Sequence, residues 1–424
     1  MKNIRRIFFF EFICLFSILI ALGQPKTIQW SNGYWFNGNN FQQKTFYSVN
    51  GLFTEKAPFH IDSTIDLGGR YVIPPYGEAH NHSPETADDI NVFIERYLSD
   101  GVFYIKNPNS IPALTNKIKH RINTPSSPDV VYANGGITGS GGHPVTLYLH
   151  LQKTKYRISL QQLNHTDLEG VAYYTIDSEA DLEKKWPAIL VDSPAFIKVY
   201  LLYSEEYEKR KNITAWDGKK GLNPKLVKSV VKKAKQSGLT VSCHVETPTD
   251  LRHALRSGIS EINHLPGYQV RWKDGYEADY YLLDEPTVKF IKKKGAHVDA
   301  TYSLAETELT EPDSTRRAQR WNVQISNLRL LKKFHVPVTI GCDSYNKTAR
   351  TEMEYLIKMN IYTPLELLKM WCELTPKAIF PTRNIAALKE GYEASFLILK
   401  NNPLVNASAL FDIHLRVKQG HILW

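Results

Sequence analysis

The stretches Pro224-Lys-Leu-Val-Lys-Ser-Val-Val-Lys-Lys-Ala-Lys-Gln-Ser-Gly238-Leu-Thr-Val-Ser-Cys-His244 and Pro248-Thr-Asp-Leu-Arg-His-Ala-Leu-Arg-Ser-Gly258-Ile-Ser-Glu-Ile-Asn-His264 decide the fold. Each begins on proline, runs at helical spacing into a basic last turn, stops at Ser-Gly, and passes straight into a short β-rich run ending on histidine. Proline suits a first helical turn and glycine a helix stop, so helices are predicted over 224–236 and 248–256. The beat continues: a helix over 286–294, Gly295, then Ala-His-Val-Asp-Ala-Thr301; a longer helix over 315–334, then Val-Pro-Val-Thr-Ile-Gly-Cys-Asp343. Helices alternating with short strands imply parallel strands joined by crossovers. No Gly-rich phosphate loop opens any of these helices, which argues against an open doubly wound sheet and for an α/β protein built on a (β/α)8 TIM barrel.

Working outward, the flanks lose this rhythm. Residues 24–72 show short strands between turn signals such as Ser31-Asn-Gly, Asn37-Gly-Asn-Asn and Val49-Asn-Gly, and 383–424 read likewise, with Gly391, Asn401-Asn-Pro and Val417-Lys-Gln-Gly. Both ends are expected to form one small β-sandwich domain around a barrel over 73–382, the alternative being two unrelated β extensions. At the start of the chain, Lys2, Arg5 and Arg6 precede an apolar run from Ile7 to Leu22 that ends in small residues. The run is short for a bilayer span of roughly 20 residues, so residues 1–23 read as a signal peptide. The expectation is an exported protein, periplasmic or extracellular, with no stable membrane span after cleavage.

Lys+Arg 52 against Asp+Glu 43 leaves a net charge of +9 over 424 residues, but the basic residues are scattered over predicted helix faces. A nucleic-acid partner, which needs a continuous basic stripe, is therefore not expected. Cys243, Cys342 and Cys372 would remain after cleavage, too few for a disulfide framework. The sequence is silent on a homo-oligomer.

In a barrel the chemistry is assembled at the C-terminal strand ends. After Tyr71-Val-Ile-Pro-Pro-Tyr-Gly-Glu comes His80-Asn-His82, two histidines at i and i+2 that share a side of a strand and can hold one cation. In Ala195-Phe-Ile-Lys198-Val-Tyr-Leu-Leu the aliphatic set packs outward, which turns Lys198 and Tyr200 to the interior. A buried ammonium is costly unless paired, deprotonated or modified; carbon dioxide would convert it to an anionic carbamate. The same alternation puts His244 and Asp343 inward and Cys243 and Cys342 outward as wall packing. The strand ending at His264 is less regular, because Glu261 falls on its outward face. Gly135-Gly-Ile-Thr-Gly-Ser-Gly-Gly-His143 is a loop whose glycines allow close backbone approach to a ligand, with His143 placed to polarise a carbonyl.

The order His-X-His, Lys, His, His, Asp on successive strand ends resembles the amidohydrolase superfamily, and the Gly-Gly-His element resembles its imidazolonepropionase-like and dipeptidase branches. Leu67-Gly-Gly-Arg-Tyr-Val-Ile-Pro before the pair and Leu388-Lys-Glu-Gly-Tyr-Glu-Ala-Ser-Phe near the end fit as well. The resemblance implies two divalent metal ions, commonly Zn2+: His80, His82 and Asp343 hold one, His244 and His264 the other, and N6-carboxylated Lys198 bridges them. It further implies hydrolysis of an amide-type C–N bond in a small-molecule substrate by a hydroxide shared between the ions, with Asp343 as general base and acid and His143 at the substrate; Tyr200, inward one step beyond Lys198, either contacts the substrate carbonyl or fills the core. Glu78 departs from the family, which has Asp at that position. The competing readings are a mononuclear deaminase or cyclic-amide hydrolase in which Lys198 is structural, and an exported binding protein without turnover.

Overall fold

The computed structural model describes residues 27–88, 90–154 and 168–423. The expected signal peptide lies outside the described residues. Strands β1 (Ile28–Phe36), β2 (Phe41–Val49), β3 (Leu52–Thr54), β4 (Ser63–Asp66) and β5 (Tyr71–Ile73) come from the N-terminal flank. Next follow β6 (Tyr76–Glu78), β7 (Val102–Asn107), β8 (Asp129–Tyr132), β9 (Gly136–Thr138), β10 (Tyr173–Thr175), β11 (Ile197–Tyr200), β12 (Val241–His244), β13 (Glu261–Asn263), β14 (His297–Asp299) and β15 (Val338–Thr339). The C-terminal flank adds β16 (Phe396–Leu399), β17 (Ile413–Lys418) and β18 (His421–Leu423).

The two flanks meet in one eight-stranded sheet ordered β18-β17-β16-β5-β1-β2-β3, with β4 beside β1. The seam is the antiparallel pair β5–β16, where Val72 faces Ile398. Aromatic side chains from both sides pack across it: Phe396 lies 4.9 Å from Trp30, 5.3 Å from Trp35 and 5.6 Å from Phe53 between ring centroids. Burying side chains of this size contributes roughly 1.5–3 kcal/mol each, enough to tie the chain ends together. The sheet is also locked to the rest of the molecule. Lys418 is fully buried and its Nζ donates to Asp129 Oδ1 at 2.7 Å and Thr124 O at 2.6 Å.

The middle of the chain is parallel throughout: a seven-stranded sheet β10-β9-β11-β12-β13-β14-β15 and a three-stranded sheet β6-β7-β8. Backbone hydrogen bonds continue beyond the sheets, from Ala195 N to Tyr132 O and from Ala79 N to Ile340 O, both 2.8 Å. Helices lie between the strands where the punctuation puts them, at Pro248–Arg256, Glu285–Lys293 and Ser314–Lys333. The helix expected from Pro224 begins at Val227, because residues 223–226 close a turn from Leu226 N to Asn223 O instead. Its Val227, Val230 and Ala234 are buried, and its lysines line the opposite face. Cys243, Cys342 and Cys372 are buried free thiols, in keeping with wall packing. No helix among the described residues is long and apolar enough to cross a membrane.

Candidate active site

The C-terminal ends of the parallel strands converge on Asp343. Its Oδ1 lies 2.9 Å from His82 Nε2 and 3.3 Å from His80 Nε2, and its Oδ2 lies 3.8 Å from His264 Nε2. His244 joins through His264, their ring centroids 4.3 Å apart, and His143 through His244 at 5.1 Å. Among the described residues, His80, His82 and Asp343 have ligand atoms within 4.8 Å of one another, close enough to share an ion. Tyr200 completes the wall: its ring meets His143 edge-on at 5.2 Å and its hydroxyl donates to Asn109 Oδ1 at 3.0 Å.

Local backbone geometry explains how the side chains arrive. Alternation carries Lys198, Tyr200 and His244 inward, with Lys198 beside Ser242 and Tyr200 beside His244 in register; the alternation expected to carry Asp343 inward does not reach it, because β15 ends at Thr339. His264 breaks the alternation. Glu261 and Asn263 are the inward residues of β13, and His264 turns back to the site through a left-handed φ of 68°. Thr301 (φ 53°) and Asp343 (φ 51°), just beyond their strands, turn the same way. Non-glycine residues in this region cost of order 1–3 kcal/mol each and cluster where function demands them. The outward placement expected for Glu261 is therefore wrong, for a physical reason: parity cannot be counted back through a left-handed residue. Glu261 is buried and receives a 2.5 Å hydrogen bond from Lys106 Nζ, which also sits 3.9 Å above the Phe196 ring.

The glycine loop before His143 serves a neighbour segment. A Cβ at Gly141 would come within 2.2 Å of Asp217 Oδ1, and one at Gly142 within 2.8 Å of Gly139 O. His143 N then donates to Lys220 O at 2.8 Å, which fixes where the ring hangs. Glu78, completely buried, accepts from Cys342 N at 3.0 Å and from Asn81 Nδ2, bracing the turn that carries Asp343.

Burial sets the protonation pattern. It pushes Lys198 down to about 8 and His143 down to about 4, and it drives His244 and His264 well below the ordinary imidazole range. For Asp343 burial alone would favour the acid, but the facing His80 and His82 reverse this and hold the carboxyl well below its usual value. Lys198, 1 % exposed, is met by Asn263 Oδ1. Among the described residues, several buried polar atoms here lack hydrogen-bond partners, including His244 Nε2, Ser242 Oγ and Thr138 Oγ1. Imidazoles from His244 and His264 that burial keeps neutral, together with orphaned polar atoms near a carboxylate, are a donor set that suits a divalent cation.

Sequence reasoning missed several residues. Tyr268 stacks on His264 at 4.4 Å and donates to Glu246 Oε1, which Arg271 also contacts at 3.0 Å. These are loop residues with no periodic signal. Asp299 is different: it ends β14 facing the interior, and alternation along His297-Val-Asp299 was signal enough to find it.

The sequence model described as "Amidohydrolase family" matches residues 211–423. Ochratoxinase of Aspergillus niger is 24% identical over 191 residues, 43% of this chain, and the match spans only 37% of that relative's length. The crystal structure of A. niger ochratoxinase superposes with a TM-score of 0.72 at 16% identity, covering 94% of this chain and 96% of the other. A Xaa-Pro dipeptidase with bound methionine gives 0.69 at 14% identity, covering 94% and 100%. A prolidase complexed with N-methylphosphonate-L-proline gives 0.69 at 14%, covering 94% and 99%.

Proposed function

Because the chain belongs to the amidohydrolase family, we propose that it is an exported, metal-dependent hydrolase of amide-type C–N bonds in small molecules. The observation that carries this is the meeting of three imidazole Nε2 atoms, from His80, His82 and His264, within 3.8 Å of the Asp343 carboxylate. In this reading the Ala79–Ile340 and Ala195–Tyr132 hydrogen bonds support closure of β6, β7, β8 and β11–β15 into an eight-stranded barrel over 73–382. The described residues of the 24–72 and 383–424 flanks, 27–72 and 383–423, form the small β domain beside it.

His80, His82 and Asp343 would hold one divalent ion, His244 and His264 a second, and carboxylated Lys198 would link the two. Such ions supply a hydroxide nucleophile near neutral pH, lowering the pKa of water from 15.7 toward about 7. Asp343, held anionic, takes up a proton at its carboxylate and returns it to the departing amine. His143 is neutral at pH 7 and directs one N–H at the substrate carbonyl. Tyr200 already gives its hydroxyl proton to Asn109, so it shapes the wall beside His143 and keeps water from that side.

The test pairs metal analysis with turnover. The wild-type chain should carry close to two ions, hydrolyse members of a panel of dipeptides and N-acyl amino acids, and lose activity to a chelator. Asp343→Asn should lower kcat by about two orders or more while bound metal falls far less. Unchanged kcat would remove Asp343 as the base. A second reading has one observation behind it. Asn263 Oδ1 accepts a hydrogen bond from Lys198 Nζ, which suits an unmodified lysine in a mononuclear deaminase or cyclic-amide hydrolase. One ion per chain would favour that enzyme.

A further inference from the structure

Three imidazoles point Nε2 at Asp343; with a cation held between them and that carboxylate, each would give its Nε2 lone pair to the ion, carry its proton on Nδ1, and need an acceptor there. His82 Nδ1 faces Asn109 O at 3.2 Å, and His264 Nδ1 faces Thr301 Oγ1 at 2.7 Å, whose own proton goes to Ala300 O. His80 Nδ1 faces neither a carbonyl nor a hydroxyl. It faces the carboxylate of Asp299, with Oδ2 3.2 Å away.

Asp299 is 1 % exposed and His80 2 %. Among the described residues, neither oxygen of Asp299 has another partner, and His80 Nδ1 has none either. A carboxylate buried without donors costs several kcal/mol, and among the described residues the ionic partner near enough to offset that is the His80 ring. The surrounding chain makes room for the pair: a Cβ at Gly341 would come within 2.7 Å of Asp299 Oδ1 and 2.6 Å of His80 N. Asp299 also lies level with Asn263 across the β13–β14 ladder, the residue that meets Lys198. Among the described residues, His80 is the imidazole of the cluster held between two carboxylates, with Asp299 at Nδ1 and Asp343 at Nε2.

We propose that Asp299 is a positioning residue that accepts the His80 Nδ1 proton, fixes the tautomer and ring orientation of His80, and so presents Nε2 to a divalent cation beside Asp343. The inference rests on the metal-dependent reading above. Outer carboxylates of this kind raise the basicity of the imidazole they hold, and their loss typically lowers metal affinity or activity 10–100-fold.

The test uses the full chain, with Zn2+ buffered by a competing chelator, and two variants close to aspartate in size. Asp299→Asn keeps an acceptor for Nδ1–H but loses the charge; Asp299→Leu fills the space and offers nothing. The expected order of zinc affinity is wild type, then Asp299→Asn about 10-fold weaker, then Asp299→Leu about 100-fold weaker. In the zinc-loaded protein the His80 Nδ1–H should give a slowly exchanging 1H–15N signal that disappears in Asp299→Leu. A packing role would instead leave both variants within twofold of wild type in zinc affinity, differing only in thermal midpoint, and would overturn the proposal. Should the wild type bind no zinc, it is the metal-dependent reading that fails; should the wild type bind zinc and Asp299→Leu bind it equally well, only the role of Asp299 fails.

Discussion

Removing Glu261 while leaving Lys106 in place probes the interior beneath the site without touching any ligand. Lys106 is 5 % and Glu261 8 % exposed, and their charges are 2.5 Å apart. At an effective dielectric near 20, two unit charges at that distance attract by about 7 kcal/mol. Much of that is cancelled by the desolvation of both groups, so the pair itself is worth little. Its one-sided loss is another matter. In Glu261→Leu the ammonium of Lys106 stays buried against Phe196 with no anion, a change that costs about 3–5 kcal/mol. Leucine fills the vacated space, so cavity formation adds little. Unfolding entropy of about 2.1 cal/mol/K per residue over roughly 400 residues gives about 0.8 kcal/mol/K, so the thermal midpoint should fall by about 4–6 °C. The double variant Lys106→Met/Glu261→Leu should regain most of that, because both charges leave together. Matched thermal melts of wild type, both singles and the double would close the cycle. A midpoint for Glu261→Leu within 1 °C of wild type, or a double no more stable than the single, would refute the reasoning.

The site yields shorter predictions. Lys198→Met should lower bound zinc from two ions per chain to one, measured by metal analysis of the purified protein; two ions retained would mean that Lys198 bridges nothing. His143→Ala should reduce kcat/KM by about 100-fold through loss of a carbonyl donor. Because burial pushes His143 down to about 4, it is uncharged at both ends of the range from pH 5 to 9. Its removal should therefore lower the pH–rate profile without changing its shape there, and a lost limb would contradict the neutral-donor role.

How much of this could be read beforehand depended on whether a residue obeyed the period of its own strand. Lys198 and His244 follow the alternation that also buries Ile197, Val199 and Cys243 on the other side, so position and chemistry could be argued from neighbours alone. The helix stops at Gly238, Gly258 and Gly295 were equally legible, because a left-handed glycine after a basic turn has little other use. His264 was identified by residue type, but its route to the site was not, and the same hidden left-handed turn sent Glu261 to the wrong face. The glycines before His143 announced a close approach without saying to what; only tertiary structure shows the neighbour to be the chain around Asp217.

Asp299 marks the boundary between these cases. Its direction was available from β14 alone, yet direction does not confer a role. What gives it one is the absence, among the described residues, of any other donor around two buried oxygens, and the arrival, from just after a strand more than two hundred positions earlier, of an imidazole whose second nitrogen faces Asp343. Ligand spacing along a chain can nominate the residues that touch a cation. The residues that orient those ligands are chosen by vacancy in three dimensions, and they become visible only when every buried donor and acceptor has been given its partner.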